Sequence, residues 1–222
     1  MAFLDRYHTP ADLPQRLPVF PLAGALLLPR AELPLNIFEP RYLEMITGAM
    51  ASERLIGIIQ PEPDFEKDER PPLLKVGCAG RITAYAETPD DRILVTLTGV
   101  SRFAVVEELD TDLPYRQVVA NFHPFAIDLV SDIGASEVNR PALLKAFRDY
   151  LNANDMKADW EQVDAASTEV LVNTLSLLAP YPASEKQALL EAPDLKTRAD
   201  VLVALTEMAL SKSIIGKRHK LQ

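Results

Sequence analysis

The feature that most constrains this chain is a change of period near residue 124. Upstream of it, apolar residues come in short runs cut by prolines and charged loops, the pattern of strands. Downstream, they recur every three or four residues and glycine almost vanishes, the pattern of helices. Such a chain cannot build a uniform helical bundle or a uniform sandwich. It predicts an α+β protein, a β-rich subdomain over 17–123 followed by a helical subdomain over 124–222. A length of 222 residues is enough to bury a substantial core.

Residues 1–16, polar and carrying Pro10 and Pro14, read as an irregular lead-in. Leu17-Pro18-Val19-Phe20 predicts a first or edge strand, because proline cannot donate to a ladder. Leu33-Pro34-Leu35-Asn36-Ile37 predicts a second extended piece. Pro40 suits a first helical turn, and Tyr42, Leu43, Met45, Ile46, Ala49 and Met50 follow at helical spacing. Leu55 to Ile59 reads as a buried strand leading into a charged, proline-bounded loop over 61–72. Val76 to Tyr85 and Ile93 to Val106 form a hairpin through Thr88-Pro89-Asp90-Asp91, and Arg116 to Phe122 is the last strand.

Four helices are expected beyond residue 124. Asn139-Arg140-Pro141 opens one carrying Leu143, Leu144, Phe147, Tyr150 and Leu151, and another runs from about Ser167 to Leu178. Ser184 and Gln187 have the spacing of a capping box for a third. Asp194 caps the last, and Gly216 is placed to end it.

Composition removes several classes of function. Acidic residues outnumber basic ones, 32 to 23, and the net charge of −9 repels a phosphate backbone, so no nucleic-acid partner is expected. Cys78 is the sole cysteine, which excludes an internal disulfide and fits a reducing cytoplasm. The start, Met1 to Arg6, lacks the pattern of a targeting segment, and the apolar run Leu22 to Leu28 is too short to cross a bilayer. The expectation is a cytoplasmic protein that does not enter membranes.

The chemistry-bearing residues are sparse. Gly216-Lys217 is followed by Arg218, so no phosphate-binding P-loop is present. Ser211-Lys212-Ser213 supplies a serine and a lysine, but neighbours in sequence do not make a catalytic dyad. His8, His123 and His219 are scattered, so no metal or other cofactor is expected. His123 reads as a packed or hydrogen-bonded residue at the join, and Cys78 as a small buried hydrophobe. Gly77-Cys78-Ala79-Gly80 reads as a bulge or close strand crossing. The acidic loop at 62–70 and the basic tail of Lys212, Lys217, Arg218, His219 and Lys220 read as solvated.

Several segments together resemble one family. Leu17-Pro18-Val19-Phe20-Pro21-Leu22, then Leu28-Pro29, then Leu33 to Tyr42, resemble the opening signature of the Lon protease amino-terminal domain. Val76-Gly77 with Gly80-Arg81-Ile82, and Leu97-Thr98-Gly99-Val100-Ser101-Arg102-Phe103, resemble its central strands. Ser184 to Glu191 is similar to its "E-K-Q-x-L-L-E" helix. The matches keep the family's order from about residue 17 to 210. Arg30 and Asp91 depart from it, since glycine is usual at both places.

The resemblance implies a β-rich pseudo-barrel packed on a helical bundle. It also implies a non-catalytic module that recognises polypeptide substrates or a protease or chaperone partner, in an oligomeric state left open. An adaptor or holdase role fits it. The alternative is an enzyme or small-ligand-binding protein, which requires Glu39, Arg41, Arg81 and Arg102 to converge on a cavity. The corner from strand to helix supplies the candidate partner-binding residues Ile37, Phe38, Arg41, Tyr42, Leu43 and Met50.

Overall fold

The computed structural model describes residues 6–65 and 69–219, the side chains of 212–219 excepted. Six strands form the β-rich part: β1 (Arg16–Pro21), β2 (Glu32–Ile37), β3 (Leu55–Ile59), β4 (Val76–Glu87), β5 (Ile93–Leu109) and β6 (Arg116–Asn121). Helix α1 (Pro40–Met50) lies between β2 and β3. The helical part contains α2 (Arg140–Ala153), α3 (Trp160–Ala165), α4 (Thr168–Leu178), α5 (Ala183–Glu191) and α6 (Leu195–His219).

The length of β5 decides the topology. The sheet order is β2-β5-β4-β3-β1-β6, and β6 returns to pair with β5. The first part of β5, Ile93 to Thr98, pairs with β2, and the last part, Ala104 to Leu109, pairs with β6. A single strand thus closes a barrel and also carries β2 as an appended edge.

β1 is therefore the first strand, one of the two expectations, but not an edge strand. It lies between β3 and β6, and the parallel ladder to β3 begins at Val19, one residue after Pro18. Closure removes the edge, and Pro18 sits just outside the β3 ladder.

The apolar run of β3 is explained by two cores. Leu55 and Ile59 enter the barrel interior with Leu17, Val19, Val100 and Phe103. Ile56 and Ile58 face the other way, into a larger core shared with α1 and with Leu143, Val172, Leu175, Leu189 and Leu202. A strand buried on both faces cannot alternate. Inside the barrel, a Cβ on Gly77 would lie 2.6 Å from Cζ of Phe103 and 2.7 Å from the Ile58 carbonyl oxygen, so only glycine fits. The ladder also shifts register between Ala79 and Gly80, the bulge expected there.

Polar side chains join the two halves. Gln60 Nε2 donates to the Ala183 carbonyl and to Gln187 Oε1, both at 3.0 Å. Gln187 in turn donates to the Val76 carbonyl at 3.1 Å. The expected capping box is not formed: α5 begins at Ala183, its N-cap is Pro182, and Gln187 is buried against the barrel. The residue that looked like a local cap is spent on a tertiary contact.

The signature Leu28-Pro29-Arg30 occupies the same seam. Arg30 N–H donates to the Gly99 carbonyl at 2.8 Å, and a Cβ at Gly99 would stand 2.0 Å from the Leu28 oxygen. Asn173 of α4 donates to the Pro29 carbonyl at 2.9 Å. Arg30 has φ +63° and Asp91 has φ +59°. Both departures from glycine therefore keep the left-handed backbone that glycine would favour.

Other boundaries also moved. The lead-in contains buried Tyr7 and Leu13 and a short turn of helix at Pro10–Asp12; residues 1–5 lie outside the described ones. The added helix α3 is capped by Asp159, which accepts from Gln162 N–H at 3.2 Å. α6 is capped by Asp194, which accepts from Thr197 N–H at 2.7 Å, and it runs past Gly216 to His219. His123 is exposed rather than packed, with its backbone N–H on Asn121 Oδ1 at 3.0 Å. The basic tail's side chains, and residues 66–68 of the acidic loop, lie outside the described residues.

Candidate functional site

The corner at Phe38–Tyr42 is where β2 hands over to α1. Ile37 pairs with Ile93 and is 1% exposed, while Tyr42 is 6% exposed and packs its ring 4.2 Å from that of Phe20. These two nominated residues brace the corner from beneath and present almost no surface. Arg41 donates from Nε and Nη2 to Glu39 Oε2, at 3.0 and 2.7 Å, with its guanidinium 4.6 Å from the centre of the Tyr42 ring. Glu39 makes no side-chain cap, so its carboxylate serves Arg41 rather than the helix N–H groups. Leu43 and Met50 are half-buried against the larger core. Phe38 is 61% exposed.

Two openings flank this corner. The larger, about 600 Å³, is polar and includes Arg41, Tyr42, Arg70, Tyr115 and Arg116. Its arginines are already engaged. Arg70 and Arg116 both donate to Glu108, and Arg116 also donates to the Pro71 carbonyl at 2.7 Å. Burial works to raise the Glu108 pKa, but the bonds and charges of Arg116 and Arg70 outweigh it and hold the carboxyl below its ordinary value.

The smaller opening is a shallow groove of about 460 Å³ on the face of β2, β5 and β4. Pro34, Thr96 and Ala84 form one row across it, and Asn36, Leu94 and Ala86 the next. Leu35 and Tyr85 also line it. Leu94 is 46% exposed and Tyr85 38%. Phe38 stands just beyond the end of β2, with the Arg92 guanidinium 5.7 Å from its ring centre. Leu35 and Tyr85 are in register with the buried Val95 and so border the groove from the opposite face, while Pro34, Ala84, Ala86 and Leu94 leave the uncovered face apolar. Such a patch marks a contact surface more than a lone exposed residue does.

Leu94, Tyr85 and Leu35 escaped the sequence reading. The signal for Leu94 was present: it is apolar on the phase of β5 opposite to Ile93, Val95 and Leu97, which are buried.

The residues whose convergence would mark an enzyme do not converge. Arg102 is held by Asp128 in the seam, and Arg81 donates to Tyr7 Oη and the Glu53 carbonyl, at 3.0 and 2.8 Å. Glu39 and Arg41 bind one another at the surface. Cys78 is fully buried, and that burial pushes its thiol pKa up, away from thiolate chemistry. Among the described residues, no group of three or more His, Cys, Asp and Glu comes together to hold a metal. None of their helices is long and apolar enough to cross a membrane.

A family model described as the ATP-dependent protease La (LON) substrate-binding domain matches residues 16–207. The chain is 28% identical over 204 residues to Lon protease 2 of Myxococcus xanthus, a match covering 87% of this chain and 24% of that protein. It is 25% identical over 206 residues to the Lon protease of Anaeromyxobacter dehalogenans, covering 87% and 23%. The chain thus spans about a quarter of the length of these curated relatives. Its fold is similar to the crystal structure of a Lon N-terminal domain protein from Xanthomonas campestris. The TM-score is 0.61 at 21% identity, covering 85% of this chain and 97% of that one. The N-terminal domain of the Mycobacterium avium complex Lon protease gives a TM-score of 0.58 at 17% identity, covering 86% and 98%.

Proposed function

Because the chain belongs to the LON substrate-binding domain family, we propose that it is a non-catalytic module that holds polypeptide segments for a protease or chaperone partner. The observation that carries this reading is the apolar groove on β2, β5 and β4. A segment laid across it removes apolar surface from water, worth about 25 cal/mol per Å². The sheet beneath is held by ladders on both sides of β5, so little ordering of the site opposes binding. Phe38 and Arg41 contribute from the corner, and Leu43 and Met50 support it. An adaptor or holdase role needs no chemistry beyond this contact.

The test is fluorescence anisotropy with a labelled, permanently unfolded polypeptide. Phe38→Ser and Leu94→Asp should each weaken binding about tenfold, which corresponds to about 1.4 kcal/mol. Leu178→Ser removes an even more exposed side chain from the helical half and should bind like the parent. Circular dichroism confirms that each variant is folded. Equal binding by all of them overturns the groove as the site.

A further inference from the structure

We infer that the groove selects segments in which bulky apolar residues are flanked by lysine or arginine. This rests on the polypeptide-binding reading above and adds a charge preference to it. The floor of the groove is built from small side chains, Pro34, Ala84, Ala86 and Thr96, beside the larger Leu94. Small residues leave room for a bulky ligand side chain, and Leu94 and the exposed Phe38 beyond the end of β2 give it apolar walls.

The surround of the groove is acidic. Glu32 pairs with Thr98 and lies two residues before Pro34, at one end. Glu87 and the exposed turn residues Asp90 and Asp91 close the other end. Arg92 and Asp90 pair, with Nε 2.8 Å from Oδ2, and offset one another, which leaves Glu87 and Asp91 as the uncompensated acids at this end. Arg81, on β4 opposite Thr98, is occupied by the Glu53 carbonyl and Tyr7. Glu87 accepts from Tyr85 Oη at 2.7 Å, which holds its side chain beside the turn.

A basic flank therefore meets carboxylates at both ends of the groove, and an acidic flank meets repulsion. The whole-molecule charge of −9 acts in the same direction at longer range. Rim charges of this kind set specificity and on-rate, while the buried apolar contact sets residence time. Each exposed pair is weak alone, so the preference comes from several acting together and should fade with salt.

The experiment uses the full chain and three labelled peptides of equal length: an apolar core flanked by lysines, the same core flanked by glutamates, and a serine core flanked by lysines. The lysine-flanked apolar peptide should bind about tenfold tighter than its glutamate counterpart at low salt, and the gap should close as sodium chloride is raised. A Glu32→Gln, Glu87→Gln, Asp91→Asn variant should lose most of the gap between the two apolar peptides, leaving only the part due to the net charge; asparagine tolerates the positive φ at 91, and glutamine can still accept from Tyr85. An undiminished gap would show that the rim acids do not set the preference. If the parent chain binds both apolar peptides equally, the charge preference is wrong and the groove reading stands. If the lysine-flanked serine peptide binds as tightly as the apolar one, the groove plays no part and the inference fails. If neither apolar peptide binds, the polypeptide-binding reading fails and takes the inference with it.

Discussion

Arg102 and Asp128 form a buried, two-bond ion pair, with Nε on Oδ2 at 2.8 Å and Nη2 on Oδ1 at 2.7 Å. The same arginine donates from Nη1 to the carbonyls of Leu190 and Ala192, at 3.1 and 2.5 Å. One side chain thus ties β5 to the segment after β6 and to the end of α5. Removing Asp128 would strand a guanidinium that is 1% exposed. Asp128→Ala should cost about 3–5 kcal/mol in reversible urea unfolding. The Arg102→Met, Asp128→Leu pair should cost less than the sum of its single changes. A loss below about 1 kcal/mol for Asp128→Ala would show that the halves are not held through this pair.

Arg30 combines a left-handed backbone with an ion pair to Glu169 and a 2.7 Å bond to the Asp128 carbonyl. Arg30→Ala loses both contacts and keeps the strained φ. Arg30→Gly loses the same contacts but relieves the strain, worth about 1–2 kcal/mol. Alanine should therefore be the more damaging change in thermal unfolding. The reverse order would mean that the chain adjusts φ when the arginine is gone.

Ser184 and Gln187 separate local from tertiary stabilisation. Ser184→Ala should change stability by less than about 0.5 kcal/mol, since no cap bond is lost. Gln187→Ala breaks contacts to Gln60, the Val76 carbonyl and Glu191, and should cost about 2 kcal/mol or more. Denaturation midpoints of the two variants decide it. A larger effect at Ser184 would restore the capping box.

Glu108 gives the fold an acid sensitivity. Its folded pKa lies below the ordinary value of 4.5, because the pull of Arg116 and Arg70 exceeds the opposing effect of burial. A carboxyl lowered in the folded state stabilises fully above its unfolded pKa. That contribution is lost as pH falls through the folded value. The difference in Tm between the parent and Glu108→Gln should be constant from about pH 7 to 5 and shrink below about pH 4. A difference that persists undiminished at pH 3 would assign the effect to packing instead of charge.

Much of the candidate corner was legible in the sequence, and much of the groove was not. Pro40 and the spacing from Tyr42 to Met50 predicted α1, and its buried face is Tyr42, Met45, Ile46 and Ala49. Phe38 and Arg41 are exposed, as a contact residue must be. Ile37 and Tyr42 look alike in sequence but are turned inward by the ladder to β5 and by Phe20. The groove joins residues from β2, β4 and β5, and only the register of those strands brings Asn36, Leu94 and Ala86 together.

The sequence by itself determined the order of elements, the change from strands to helices, the β4–β5 hairpin, the helix starts near Asn139 and Ser167 and the cap at Asp194. These rest on period and turn chemistry, which act over a few residues. Tertiary structure decided where β1 sits, why Arg30 occupies a glycine's backbone, and which way Gln187 turns. Gln187 meets Gln60 across 127 positions and Arg30 meets Glu169 across 139, so no local pattern encodes either contact. Burial decides them instead, because a polar group in the seam between barrel and helices must find its partner there or remain unsatisfied.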